Sequence, residues 1–321
     1  MASSSGRIAL VLGATGGIGG ETASALARRG WRIRALVRDP KEAQARGGQD
    51  WDWLRGDALD AAAVAGAARG AEMIVHAVNP PGYRNWGKLV WPMIDNSIGA
   101  ARASGARILL PGTIYNYGPD AYPILREDSP QHPRTRKGAI RVELERRLQA
   151  AAGGGVRSLV LRFGDFFGPK PGNSWFSQGL ITPGQPVQYV RYPGRRGVGH
   201  AWAYLPDAGE AFAALVERDG LEPFARFHFA GHWDQDGTAM TAAVGRAVGN
   251  SHLRVRPFPW LLMGLAAPFN ETVRELIEMK PLWRSPVRLD NTRLVAALGS
   301  EPHTSLDEAV ATTLKGLGSV G

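Results

Sequence analysis

A chain of 321 residues, 44% of them hydrophobic, can bury a large core, as one domain or as a domain with a smaller lobe. It contains no cysteine, which excludes disulfides, thiolate metal sites, cysteine nucleophiles and thiol redox chemistry. The formal charge of +9 suits an anionic partner, yet the arginines are spread along the chain rather than clustered among aromatics, which favours a phosphorylated cofactor or acidic small molecule over nucleic acid.

The opening Met1-Ala-Ser-Ser-Ser-Gly6 is short and polar, and the apolar stretch behind it ends at a glycine turn, so no export signal is expected and the location predicted is cytoplasmic. Ile8 to Leu12 reads as a buried strand that runs into Gly13-Ala-Thr15-Gly16-Gly17-Ile18-Gly19 and then a helix from Ile18 to Arg29. The glycines differ in what they allow. Gly13 permits the tight turn, Gly16 lets backbone approach phosphate, and Gly19 lets the helix pack on the strand. Phosphates would then rest on amides at the positive end of that helix, which makes dinucleotide binding the first expectation.

Further strands are predicted at Arg32 to Val37, Met73 to Val78, Arg107 to Leu110 and Val156 to Arg162. Helices are predicted at Leu59 to Arg69, Trp86 to Ser104 and Arg136 to Ala152, each stopped by glycine. This alternation specifies an α/β protein with a parallel sheet and crossover helices. From Gly168 onward proline and glycine become dense, so residues 1–167 are expected to form the cofactor core and 168–321 mostly a substrate lobe, with segments near 200–232 returning to the core. Strand-like Arg226 to Phe229 and a helix from about Thr238 to Val248 belong to that return. Trp260 to Phe269 is too short to cross a bilayer and carries Pro268, so it is expected to be a buried helix or pocket wall and no membrane partner is expected. His228 and His232 straddle a strand end and Gly231, and no metal is assigned to them.

With the glycine turn, Gly56-Asp57, Val75-His76-Ala77, Asn96, Thr113 and Arg162-Phe-Gly-Asp-Phe-Phe-Gly168-Pro169 in this order, the chain resembles the short-chain dehydrogenase/reductase superfamily, in its extended epimerase/dehydratase branch. The resemblance spans nearly the whole chain and implies a doubly wound Rossmann sheet. It also implies that the glycine loop (Gly13, Thr15, Gly16, Gly17, Ile18, Gly19) holds the cofactor, with Asp57 and Ala58 at the adenine and Ala77 and Val78 beneath it. At the end of the second strand Arg38 stands where the family reads the ribose, favouring NADP over NAD, while Asp39 keeps NAD open.

Thr113 matches the family residue that holds the substrate oxygen. The positions of the family's proton-moving tyrosine and of the lysine four residues later are Lys137 and Arg141, with Glu145 a further turn on. Arginine can grip ribose and phosphates but cannot relay a proton. One expectation is that Arg141 and partial burial lower the Lys137 pKa enough for its ammonium to act as the acid. The alternatives are a solvated or paired Lys137, an Arg141 that only pairs with Glu145, and Tyr115 as the acid.

Substrate contacts are expected from Asn79, Tyr83, Trp175, Arg195 and His200, the last standing at the arginine position that grips diphosphate in nucleotide-sugar enzymes of the family. The implied function is an NADP-dependent reductase or dehydrogenase on a small carbonyl or alcohol. A sugar-nucleotide epimerase or dehydratase and a non-catalytic NADP(H) sensor are the alternatives. Long helices of this branch often pair between subunits, so a homodimer is an open expectation.

Overall fold

The computed structural model describes residues 6–47, 50–80, 85–170, 172 and 174–320. Seven parallel strands form the main sheet: β1 (Ile8–Leu12), β2 (Arg32–Val37), β3 (Asp52–Arg55), β4 (Met73–His76), β5 (Arg107–Thr113), β7 (Ser158–Phe163) and β11 (Phe224–His228). Their order across the sheet is β11-β7-β5-β4-β1-β2-β3, which reverses direction between β1 and β4. A ligand crevice opens at the carboxyl ends of such a pair, because the flanking connections leave in opposite directions.

The alternation within β1 decides the layers. Ala9 and Val11 point into a core shared with α1 (Gly17–Arg28) and α6 (Leu205–Val216). Leu10 and Leu12 point into a second core with α3 (Ala61–Ala67), α4 (Trp86–Ser104) and α5 (Arg136–Ala152). α2 (Pro40–Gly47) connects β2 to β3. The α1–α6 approach is close: a Cβ on Gly209 would stand 2.7 Å from Glu21 backbone.

Smaller sheets extend from the carboxyl side. β6 (Ile124–Leu125) pairs with β14 (Arg288–Leu289), and β10 (His200–Tyr204) lies between β8 (Asp165–Phe167) and β12 (His232–Asp234). β9 (Tyr189–Tyr192) pairs with β13 (Arg254–Pro257). With α7 (Ala239–Ala247) and α11 (Leu306–Gly316) they enclose a third apolar cluster built on Phe167, Phe176, Trp202 and Trp283. α8 (Trp260–Ala266), α9 (Glu271–Glu278) and α10 (Thr292–Leu298) complete the chain order.

The expectation that Trp260 to Phe269 is buried is corrected. Trp260 packs on Phe258 and Trp175 and donates its Nε1–H to Pro193 O at 2.9 Å, but Leu261 is 81% and Phe269 91% exposed. A helix this short touches the lobe along one edge, so its remaining apolar side chains face outward. Among the described residues no helix is long and apolar enough to cross a membrane.

Candidate active site

The glycine turn is set by contact, not by flexibility. Gly13 has φ +93°, and a Cβ on it would lie 2.5 Å from Ala77 O; a Cβ on Gly19 would lie 2.3 Å from Gly13 O. Gly16 begins α1 without a side-chain cap, so the first amides of the helix point into the crevice with the positive end of its dipole. A cavity of about 370 Å³ there is lined by Gly13, Thr15, Gly16, Arg38, Asp57, Ala58, Ala77, Val78 and Asn79. Gly17 does not line it, and a Cβ there would press on Leu205 at 2.8 Å. Asp57 accepts from Leu59 N–H at 2.9 Å, as a turn cap, while Asp60 caps α3. Asn96 donates to Ala58 O at 2.9 Å and fixes the same loop from α4.

A second cavity continues past Ala77 and Val78. Ile18, His76, Asn79, Thr113, Tyr115, Arg141 and Phe166 line it. Thr113, at the end of β5, accepts the Tyr115 N–H at 3.2 Å, which turns the Tyr115 side chain toward the same space. Arg141 donates to Asn79 Oδ1 at 3.3 Å and lies 5.0 Å over the Trp86 ring. These arrangements fit a nicotinamide dinucleotide: close-packed glycines and capless amides for the pyrophosphate, a carboxylate and a guanidinium at the adenosine end, and a guanidinium beside the other.

Lys137, Arg141 and Glu145 share one face of α5, capped by Thr135 on Gly138 N–H at 3.0 Å, and all three are buried. They serve different surroundings. Of the two expectations for Lys137, the proton-donating acid and the paired residue, the structure has the paired one: the lysine is 1% exposed, and its ammonium donates to Glu275 O at 2.8 Å, to the Glu275 carboxylate and to Glu278 at 3.0 Å. Two α9 carboxylates, 138 and 141 residues away, are its charged partners.

Glu145 meets Arg162 at 2.5 Å in a fully buried ion pair, which Asn116 joins by donating to Glu145 at 2.9 Å. Arg162 donates to the Tyr117 hydroxyl at 2.8 Å, and that hydroxyl lies 2.9 Å from His228 Nε2. Glu145 and Arg162 were legible as motif residues; their pairing with each other was not. His76, read only as a motif position, bonds Ser97 at 2.8 Å and faces the second cavity.

Three candidate substrate residues lie elsewhere. His200 is buried, stacked on Trp283 with ring centroids 3.8 Å apart, and bonds Asp165 at 2.9 Å. Trp175 packs among Phe258, Trp260 and Trp283. Arg195 is exposed and lines none of these cavities. Tyr83 lies outside the described residues. No group of acidic and histidine side chains that would hold a metal ion occurs among the described residues.

Burial and the Arg141 charge push His76 down to about 3; burial and Arg162 do the same to His228, and burial with His303 takes His232 to about 4. The folded chain therefore keeps these rings neutral where the unfolded chain, titrating near 6.5, takes up protons. Stability is present above pH 6.5 and declines as pH falls below it, by up to ~1.4 kcal/mol per pH unit for each ring. The urea midpoint is expected to fall between pH 7.5 and pH 5.5; equal midpoints would contradict this burial.

A family model of NAD dependent epimerase/dehydratase proteins matches residues 9–223, from β1 to the threshold of β11 and well over half of the chain. The chain belongs to that family. It is 33% identical over 181 residues to a 3-diazoavenalumate denitrifying reductase from a Streptomyces species; the match covers 51% of this chain and 57% of the relative, little more than half its length. The fold superposes on UDP-glucose 4-epimerase from Bifidobacterium longum, solved with NAD+ and UDP, with a TM-score of 0.74 at 14% identity over 98% of this chain and all of that one. UDP-glucuronic acid 4-epimerase from Bacillus cereus, solved with UDP-glucuronic acid and NAD, gives 0.74 at 14% identity over 97% and 99%. At such identities the family member shares a fold with these enzymes, and the site residues carry the rest of the argument.

Proposed function

We propose that the protein is an NADP-dependent reductase of a small carbonyl substrate, with residues 168–321 supplying most of the substrate lobe. The carrying observation is the composition of the second cavity: a fixed cation, Arg141, beside a threonine hydroxyl and the Tyr115 side chain, with the Lys137 ammonium turned away onto Glu275 and Glu278. A guanidinium cannot itself take up or release a proton, so proton transfer at this site falls to Tyr115. Arg141 stabilises negative charge on the substrate oxygen during hydride transfer. The relative described as a reductase supports the reductive direction.

Reduced nicotinamide, when bound, supplies hydride. Thr113 and Tyr115 orient the carbonyl oxygen, Tyr115 delivers the proton to it, and Arg141 holds the ribose and stabilises the oxyanion. Asp39 gives its carboxylate to the Glu42 N–H at 3.1 Å, whereas Arg38 stands at the adenosine cavity, which supports a 2′-phosphate over a bare ribose.

The test follows nicotinamide absorbance and product isomers with NADPH and a panel of aldehydes, ketones, quinones and sugar nucleotides. Net oxidation is expected; isomerisation without net oxidation would make the protein an epimerase, and tight binding with neither signal would make it a sensor. Arg38→Ala is expected to weaken NADPH binding about 10- to 100-fold, the worth of a charge-assisted hydrogen bond, with NADH affinity little changed. Equal loss for both coenzymes would remove the NADP assignment.

A further inference from the structure

A third cavity lies outside the two in the crevice. It measures about 470 Å³, lies between the Tyr115–Thr135 stretch and the segment from Ile277 to Ser285, and shares Tyr115 with the second cavity. Its volume is that of a site for a small organic molecule. Three phenol rings, Tyr115, Tyr117 and Tyr122, form one wall, and Leu282 and Ile277 lie on the other.

Its charge is lopsided. Arg134, Lys280 and Arg284 line it; Lys280 lies 5.5 Å over the Trp260 ring and the Asp120 carboxylate feels the Arg134 charge, but none of the three is in ion-pair contact with a carboxylate among the described residues. The acid present, Glu278, is committed to the Lys137 ammonium at 3.0 Å. Cations gathered at an aromatic-walled cavity without a carboxylate in direct ion-pair contact suit a ligand that brings the anion.

We propose that this cavity binds a planar aromatic carboxylate, its ring against the tyrosines and its carboxylate on Arg134, Lys280 and Arg284, with the reducible end reaching past Tyr115. This rests on the reductase assignment and narrows its substrate. A sugar nucleotide fits less well: His200, at the position expected to grip a diphosphate, is covered by Trp283 and bonded to Asp165, and Arg195 does not line the cavity. Ring stacking and a bidentate guanidinium contact are each short-ranged and geometric, so both the ring and the charge are required.

Calorimetric titration of the whole protein with trans-cinnamate, cinnamamide, cyclohexanecarboxylate and UDP-glucose reads this without turnover. Cinnamate is expected to bind at least about tenfold more tightly than its uncharged amide or the non-planar acid, with an affinity that falls as salt rises. The Lys280→Met/Arg284→Gln double variant is expected to lose about tenfold or more for cinnamate while its NADPH affinity is unchanged, which also shows that it is folded. Equal binding of acid and amide, preference for UDP-glucose, or an indifferent double variant overturns the proposal. Cinnamate binding in a protein that oxidises NADPH with no carbonyl compound leaves the pocket standing and removes the reductase assignment; the reverse pair of results does the opposite.

Discussion

Arg162→Met is expected to destabilise the fold by about 3–5 kcal/mol, the largest effect of any substitution outside the cofactor turn. Arg162 is fully buried, and burial alone would discourage its charge; Glu145 more than offsets that and holds the guanidinium above its ordinary range. The methionine variant leaves the Glu145 carboxylate buried with Asn116 as its remaining neutral donor and takes the 2.8 Å donor from the Tyr117 hydroxyl. A buried ion whose partner is removed is far costlier than a pair removed together, so Arg162→Met with Glu145→Leu should recover much of the loss. Urea unfolding of the three variants measures this. A single variant within about 1 kcal/mol of the parent would show that the pair does not hold α5 to the sheet.

Tyr115→Phe is expected to lower kcat by about 10²- to 10⁴-fold with NADPH affinity unchanged, the usual span for loss of a positioned proton donor. Lys137→Met is expected to behave differently. It strands Glu275 and Glu278 without their ammonium and removes a tie between α5 and α9, so thermal stability falls, while the chemical step in folded enzyme stays within about tenfold. The solvent isotope effect on single-turnover NADPH oxidation separates the two: it should vanish in the phenylalanine variant and persist in the methionine variant. The opposite pattern returns the proton to the lysine.

What the sequence made legible was local. α4 and α5 begin and end where their punctuation puts them, because Gly105 takes φ +76°, Thr135 caps α5 and Gly153 closes it. The cofactor crevice was equally readable, since its glycines act within a few residues of one another. β3 is four residues long and half-buried, too short for periodicity to mark, and α6 starts at Leu205 directly after β10, with no capping side chain from Tyr204. The partners of Lys137 and His200 come from distant segments, and no helical or strand period reports on such pairs. One trace was present: Glu271, Glu275 and Glu278 recur at helical spacing on a segment with a strongly one-sided pattern, a row of acids awaiting a cation.

The last residue of β5 and the few that follow it differ in what they face. Thr113 and Tyr115 look into the cavities, Asn116 reaches down to the buried Glu145–Arg162 pair, and Tyr117 does both, its ring at the third cavity and its hydroxyl on Arg162. Chemistry at 113 and 115 and architecture at 116 and 117 thereby sit side by side in one short stretch, and the first pair can change without disturbing the second. Random libraries confined to 113 and 115 should yield mostly folded proteins with altered reactivity, while the same diversity at 116 and 117 should yield mostly aggregates, which makes this stretch a natural place for the scaffold to acquire new reactions.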